Sequence, residues 1–277
     1  MNDTARSLSE PATRAAEKGA VPGAAPARPR FLLLPMRSGC ASERVYKWTL
    51  PAYRGELPDG RHYNACPTAS ICADLCYARA GHFQRGTVLA AHQRNLQYVL
   101  DDLPGWEAQM TQELQHRRYR AAEDSTAHVR VHDAGDYLSL PYLQAWLRIF
   151  RSAPHVTFYS YTKQVALLEK WARPDPPANF HWRYSYGGTQ DDLIDPLRHP
   201  HADVFPDEES LEAAGYTSQT PSDLRAVYGP ETLGLAANNI PHLKKRQGGR
   251  TFRALQRAAN EDKRSRKGPG PRRPQAG

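Results

Sequence analysis

Short apolar runs alternating with helix-spaced segments, glycine-bearing turns between them and polar ends predict an α/β protein. The class expected is a partial or decorated TIM-type βα barrel with disordered N- and C-terminal tails. Three observations carry this. His128-Val-Arg-Val-His132 alternates like a strand, Gly135 sits in the turn after it, and Pro141 opens a helix at a favoured first-turn position. The unit then recurs: residues 156–161 read as a strand, Thr162 as a cap and 163–172 as a helix. Strands follow at 180–186, 203–205 and 231–236, with a helix at 208–214. Finally, five or six such strands in 277 residues fall short of a full eight-stranded barrel; an open doubly wound sheet is the alternative, although no Gly-x-Gly-x-x-Gly fingerprint marks one.

In chain order, residues 1–30 are rich in Ala, Pro, Gly and charge and read as a disordered tail. A single βα domain is expected over 31–258. It opens with Phe31-Leu-Leu-Leu-Pro35, a buried strand stopped by proline, and a second extended segment follows at 46–51. Residues 54–62 carry turn chemistry. Residues 88–103 and 106–120 have helical spacing, broken by Pro104-Gly105. Residues 259–277 form a basic tail. The formal net charge is +8, and its excess at the two ends suggests contact between the tails and a nucleic acid or nucleotide. No apolar run is long enough to span a membrane, and residues 1–30 lack a secretory core segment, so the expected location is the cytoplasm.

Residues 63–83 hold three of the four cysteines: Cys66, Cys72 and Cys76. Cys72 and Cys76 are four apart, which on a helix places both thiols on one face. Cys66 lies one loop upstream, with Pro67 at its exit. Clustered thiols in a reducing compartment suit a soft metal or an iron–sulfur cluster better than disulfides or inert burial. Three ligands are an open set, whereas closed structural zinc wants four. Cys40 and His82 are the candidates for a fourth.

In βα folds the chemistry gathers at strand C-terminal ends. There the sequence places His132, Asp133, Gly135 and Asp136, then Tyr159, Tyr161 and Lys163, then Tyr184 to Gly188, then Asn238. His132 and His128 are expected on one strand face. Asp136, His132, Lys163 and Asp133 are the catalytic candidates. Gly135 permits close approach of a ligand. Lys163 at a helix start opposes the helix dipole, which points to a role.

Cys66-Pro67, Ala69, Cys72, Cys76-Tyr77-Ala78, Arg130, His132, Gly135-Asp136-Tyr137, Ser139, Trp146 and the run Phe158 to Lys163 resemble the phage gene product 88 family, over roughly residues 31–240. Its members occur in phages, plasmids and actinobacterial-type genomes. The early three-cysteine segment also looks like a variant of radical S-adenosylmethionine enzymes, although its spacing of five then three residues differs from their three then two. That resemblance implies a [4Fe-4S] cluster on Cys66, Cys72 and Cys76, with S-adenosylmethionine at the open iron. It also implies cofactor contacts from Gly135 and Asp136, with Tyr159, Tyr161 and Asn238 as further cofactor-site candidates, and a substrate that is a nucleotide or nucleic acid. The alternative is a zinc-stabilised βα protein, such as a nucleobase transglycosylase-like enzyme using Asp136 and Asp133. A further alternative is a metal-bound DNA-binding replication factor, although His128-Val-Arg-Val-His132 lacks the His-apolar-His pattern of relaxase-type nucleases.

Overall fold

The computed structural model describes residues 29–37, 43–120, 126–237 and 240–266. The strands are β1 (Leu34–Met36), β2 (Val45–Trp48), β3 (Arg54–Glu56), β4 (His62–Asn64), β5 (Ala127–Val131), β6 (Val156–Thr162), β7 (Phe180–Ser185), β8 (His201–Phe205), β9 (Thr217–Ser218) and β10 (Thr232–Ala236). The helices are α1 (Ile71–Asp74), α2 (Gly86–Asp101), α3 (Leu103–Leu114), α4 (Leu140–Ser152), α5 (Val165–Trp171), α6 (Glu208–Ala213), α7 (Arg225–Tyr228), α8 (Pro241–Gln247) and α9 (Phe252–Arg266).

Eight strands form one sheet in the order β1-β2-β5-β6-β7-β8-β10-β9, and β3 pairs with β4 in a separate hairpin. All neighbours in the large sheet run parallel except β1 and β2. Six of its parallel strands, from β2 to β10, follow chain order, as expected of repeated βα units. Among the described residues no ladder joins β1 to β9, so the barrel expectation reduces to a mostly parallel mixed α/β sheet.

The main core lies between this sheet and α2, α3 and α4. Ser139 caps α4, its Oγ accepting from the Tyr142 amide, and Pro141 occupies the first turn. The buried face of α4 carries Tyr142, Trp146, Ile149 and Phe150. Trp146 meets Trp106 at 5.1 Å between ring centroids, and Phe150 stacks on Phe180 at 4.3 Å. Each such side chain contributes about 2–3 kcal/mol by leaving water. On the opposite sheet face, Val45 and Tyr159 pack under Leu224 and Ala226.

Two expectations at the chain ends need correction. The first strand is not residues 31–35 stopped by proline. It is Leu34–Met36 at the sheet edge, with Pro35 inside it, where a missing N–H is tolerated. Residues 259–266 of the expected disordered tail form the last turns of α9; residues 1–28 and 267–277 lie outside the described residues.

Leu32 and Leu33 are buried, and both their amides donate to the Glu113 carboxylate on α3, Leu33 at 3.1 Å. The same carboxylate accepts from the Tyr119 hydroxyl and faces Arg118 at 3.4 Å. Replacing it with alanine strands three donors, the Leu32 and Leu33 amides and the Tyr119 hydroxyl, around a buried gap. Glu113→Ala is expected to destabilise the fold by about 3 kcal/mol in urea denaturation, and Glu113→Gln, which keeps an acceptor, by less. Equal melts for Glu113→Ala and wild type would remove this anchor from the account.

Candidate functional site at the strand C-termini

A cavity of about 410 Å3 opens at the C-terminal ends of the parallel strands. It brings together most of the residues singled out by sequence. Cys66, Cys72, Cys76, His132, Asp133, Gly135, Asp136, Tyr161 and Lys163 all border it. Tyr159 does not; its hydroxyl donates to Asp223. His82 lies in an exposed turn away from the cavity. Asn238 and Cys40 lie outside the described residues. Arg130, Ser185 and Tyr77 also line the cavity without having been assigned a role by sequence. Arg130 did leave a signal, as a charged residue between two valines in a strand.

The cysteine segment is laid across these strand ends by backbone bonds. The Gly187 carbonyl after β7 accepts from the Ser70 and Cys72 amides at 3.1 and 2.9 Å. Gly187 has φ +102°, and a Cβ there would meet Phe252 at 3.0 Å and the Cys72 nitrogen at 3.3 Å, so glycine is required. The segment is not one continuous helix. α1 ends at Asp74, and Cys76 has extended backbone ahead of a short 3-10 turn (Tyr77–Arg79). The shared helical face expected for Cys72 and Cys76 is therefore replaced by two elements facing one cavity. All three thiols are free. Burial pushes the Cys66 thiol well above its ordinary value, helped by Asp136 and Cys72. Burial and Cys72 push Cys76 up to about 11. Among the described residues no group of three or more His, Cys, Asp or Glu side chains stands ready-made to hold a metal ion.

Asp136 is 5% exposed. Its Oδ1 accepts from the Thr162 hydroxyl at 2.6 Å and the Tyr137 amide at 2.8 Å, and Oδ2 accepts from the Lys163 amide at 2.9 Å. Burial raises its carboxyl above the usual range, and these three donors offset part of that. Gly135, beside it, has φ +87°. What approaches closely there is Leu50, whose Cβ would lie 2.6 Å from an added Cβ.

Lys163 precedes α5 rather than starting it, since Gln164 is the N-cap residue; its amide is taken by Asp136. Its ammonium donates to Ser185 Oγ at 2.9 Å. Burial alone would lower it, but Cys72, Asp191 and Asp136 outweigh burial and hold its pKa above the ordinary value. Asp133 bonds Lys47 Nζ at 2.5 Å and lies 3.9 Å from Arg130, which pairs with Asp223 at 3.0 Å. Burial would raise the Asp133 carboxyl, but Arg130 and Lys47 win and lower it.

His132 does not share a face with His128. Its φ of +67° turns it out of the strand pattern. His128 meets Tyr228, whereas the His132 ring packs edge-on against Tyr137 at 4.8 Å. Trp48 Nε1 donates to the Tyr142 hydroxyl at 2.8 Å, and that hydroxyl lies 3.0 Å from His132 Nε2. An indole N–H can only donate, so the Tyr142 oxygen accepts from Trp48; with no other acceptor within hydrogen-bond reach among the described residues, the phenol proton goes to Nε2. The remaining proton of a neutral ring is then on Nδ1, a buried atom without a partner. Burial pushes the His132 pKa down to about 3.

The group is therefore a neutral hydrogen-bond donor at physiological pH. The unfolded chain takes up a proton near pH 6.5 that the folded one refuses until about 3. Stability should fall as pH drops through that window, by up to about 1.4 kcal/mol per pH unit. His132→Asn should flatten this slope relative to wild type in urea melts at pH 7 and 5. 15N NMR should show the Nδ1–H form without titration between pH 5 and 8; an Nε2–H ring, or a titration near 6.5, would contradict the assignment.

No helix among the described residues is long and apolar enough to cross a membrane. No solved structure matches the chain. A curated relative, the Gene 88 protein of Mycobacterium phage L5, is 26% identical over 115 residues, covering 39% of this chain and 46% of that protein. The chain thus spans about half the length of the relative it matches. The model of the family described as Gene product 88 matches residues 26–267, from ahead of β1 to the end of α9. With that coverage joined to the cysteine, His-x-x-Gly-Asp and Tyr-Thr-Lys motifs at one cavity, the chain belongs to the gene product 88 family.

Proposed function

We propose that the chain is an iron–sulfur enzyme of radical S-adenosylmethionine type, with Cys66, Cys72 and Cys76 as ligands of a [4Fe-4S] cluster. The observation that carries this reading is the convergence of three free thiols, from separate elements, on one cavity at the C-terminal ends of parallel strands. The donor set fits: thiolates are the ligands such clusters use, and three of them leave one iron open. Among the described residues the side chains are not preset around a metal, so holding a cluster would require the thiols to turn toward one another. Cys66, Cys72 and Cys76 would hold the cluster, which would supply one-electron chemistry to S-adenosylmethionine. A closed zinc site is less well served. It needs a fourth donor, and of the two candidates His82 does not border the cavity and Cys40 lies outside the described residues.

The chain's own residues prepare the cavity. Asp136 fixes the two loops that follow β5 and β6. Lys163 places a cation beside Cys72 and Asp136, where it offsets thiolate charge. His132 and Tyr161 offer buried groups without partners, Nδ1 and a hydroxyl, suited to orienting a polar ligand. The apolar wall from Leu75, Val204, Leu235 and Phe252 keeps water from the reacting centre.

Anaerobically purified protein is expected to be coloured and to carry about four irons and four acid-labile sulfides per chain. Cys66→Ala should lose the colour and most of the iron while keeping its fold by circular dichroism. A variant with full cluster absorbance, or colourless wild type with one zinc, would overturn the proposal.

A further inference from the structure

The positive charge of this chain is gathered on its last two helices. Residues 241–266 hold nine Lys and Arg against two acids, +7 of a total of +8, whereas residues 31–240 hold 20 basic and 24 acidic residues. Six of these nine lie in residues 241–258, which the sequence placed within the domain rather than in a tail; residues 259–266 add three basic and two acidic groups. α8 ends at Gly248, whose φ of +59° makes the left-handed stop that frees α9 to turn back over the sheet ends. α9 buries Phe252, Leu255 and Gln256 inward. Phe252 borders the cavity, and Gln256 Oε1 accepts from the Ile71 amide at the start of α1, one residue before Cys72. The opposite face is cationic. Lys244, Lys245, Arg246, Arg250, Arg257 and Lys263 are all exposed, and among the described residues none of the six forms an ion pair. Arg264 and Arg266 are tied to Asp192 and Asp262.

We propose that this α8–α9 face docks a nucleic-acid strand by its phosphates and delivers it to the rim of the cavity. A row of cations outside any ion pair, on a segment where basic residues outnumber acids nine to two, is what phosphate-backbone binding uses, and α9 alone extends about 22 Å, room for several phosphates. A membrane surface fits less well. None of the exposed large apolar side chains lies on α8 or α9, so there is no wedge to enter lipid. The inference shares its cavity with the iron–sulfur reading but does not depend on the cysteines. Cys66→Ala should bind nucleic acid as wild type does, so either reading can fail alone.

The test is fluorescence anisotropy of a labelled single-stranded oligonucleotide with the full chain across a salt series. Replacing Lys244, Lys245, Arg246 and Arg250 by Gln should weaken binding at least about tenfold near 100 mM salt and reduce the log–log salt slope by about 2–3. The control replaces four exposed arginines elsewhere, Arg85, Arg94, Arg117 and Arg198, by Gln and should change binding less than about twofold. Should the first set melt early, Arg250, Arg257 and Lys263, outside α8, are replaced instead, with the same direction expected. Equal weakening by both sets, unchanged binding by the α8–α9 set, or wild type that binds anionic vesicles but not the oligonucleotide would each overturn the proposal.

Discussion

The carboxylate of Asp136 is buried at the junction of three segments that share no sequence neighbourhood. Its oxygens accept from the Thr162 hydroxyl and the Lys163 amide, joining the loop after β5 to the end of β6. Its own amide donates to the Ala65 carbonyl at 2.8 Å, one residue before Cys66. A buried carboxylate is unfavourable unless its lone pairs are filled. Here they are filled by groups that can reach it only when both loops and the cysteine segment are in place. The cavity therefore has a fixed floor and an attached roof, and Gly187 repeats the device on the far side by holding Ser70 and Cys72.

One consequence is a division among the polar groups around the cavity. Asp136 and Asp133 have their oxygens engaged internally, and Tyr142 spends its proton on His132. The three cysteines, Lys163 and Tyr161 also border the space, while the Tyr161 hydroxyl and His132 Nδ1 are buried polar atoms without partners. The acidic residues that drew notice in the sequence act mainly on loop geometry, and the groups left free are soft ligands and hydrogen-bond donors.

Much of this was legible beforehand, and for a physical reason in each case. The strand–turn–helix units at β5–α4, β6–α5 and β8–α6 were readable because local periodicity specifies them, although Thr162, expected to cap α5, gives that position to Gln164. Cavity membership followed from a rule of topology, that strand ends in parallel sheets converge. What could not be read depended on non-local contacts. His132 leaves the strand pattern through a positive φ set by packing on Tyr137 and Tyr142. Gly135 is small because Leu50, distant in sequence, presses on it. Tyr159 and Tyr161 share a strand face, yet only Tyr161 reaches the cavity, since Asp223 from the covering segment captures Tyr159. The cysteine spacing implied one helical face, whereas α1 lasts a single turn.

The placement of charge follows from the same burial. A cation inside the cavity wall must have a counter-ion, and Arg130 has Asp223 and Asp133 beside it. Such a pair leaves little net field. Cations meant to act on a distant polyanion have to stay in water and unpaired, on elements that are nonetheless rigid. α8 and α9 satisfy both conditions: their apolar stripes are buried against the sheet ends, while their lysines and arginines project outward. Because α9 also contributes Phe252 to the cavity and Gln256 to the cysteine segment, the basic face has a fixed relation to the thiols. The fold thus separates a balanced, partly apolar interior from a charged approach along its rim.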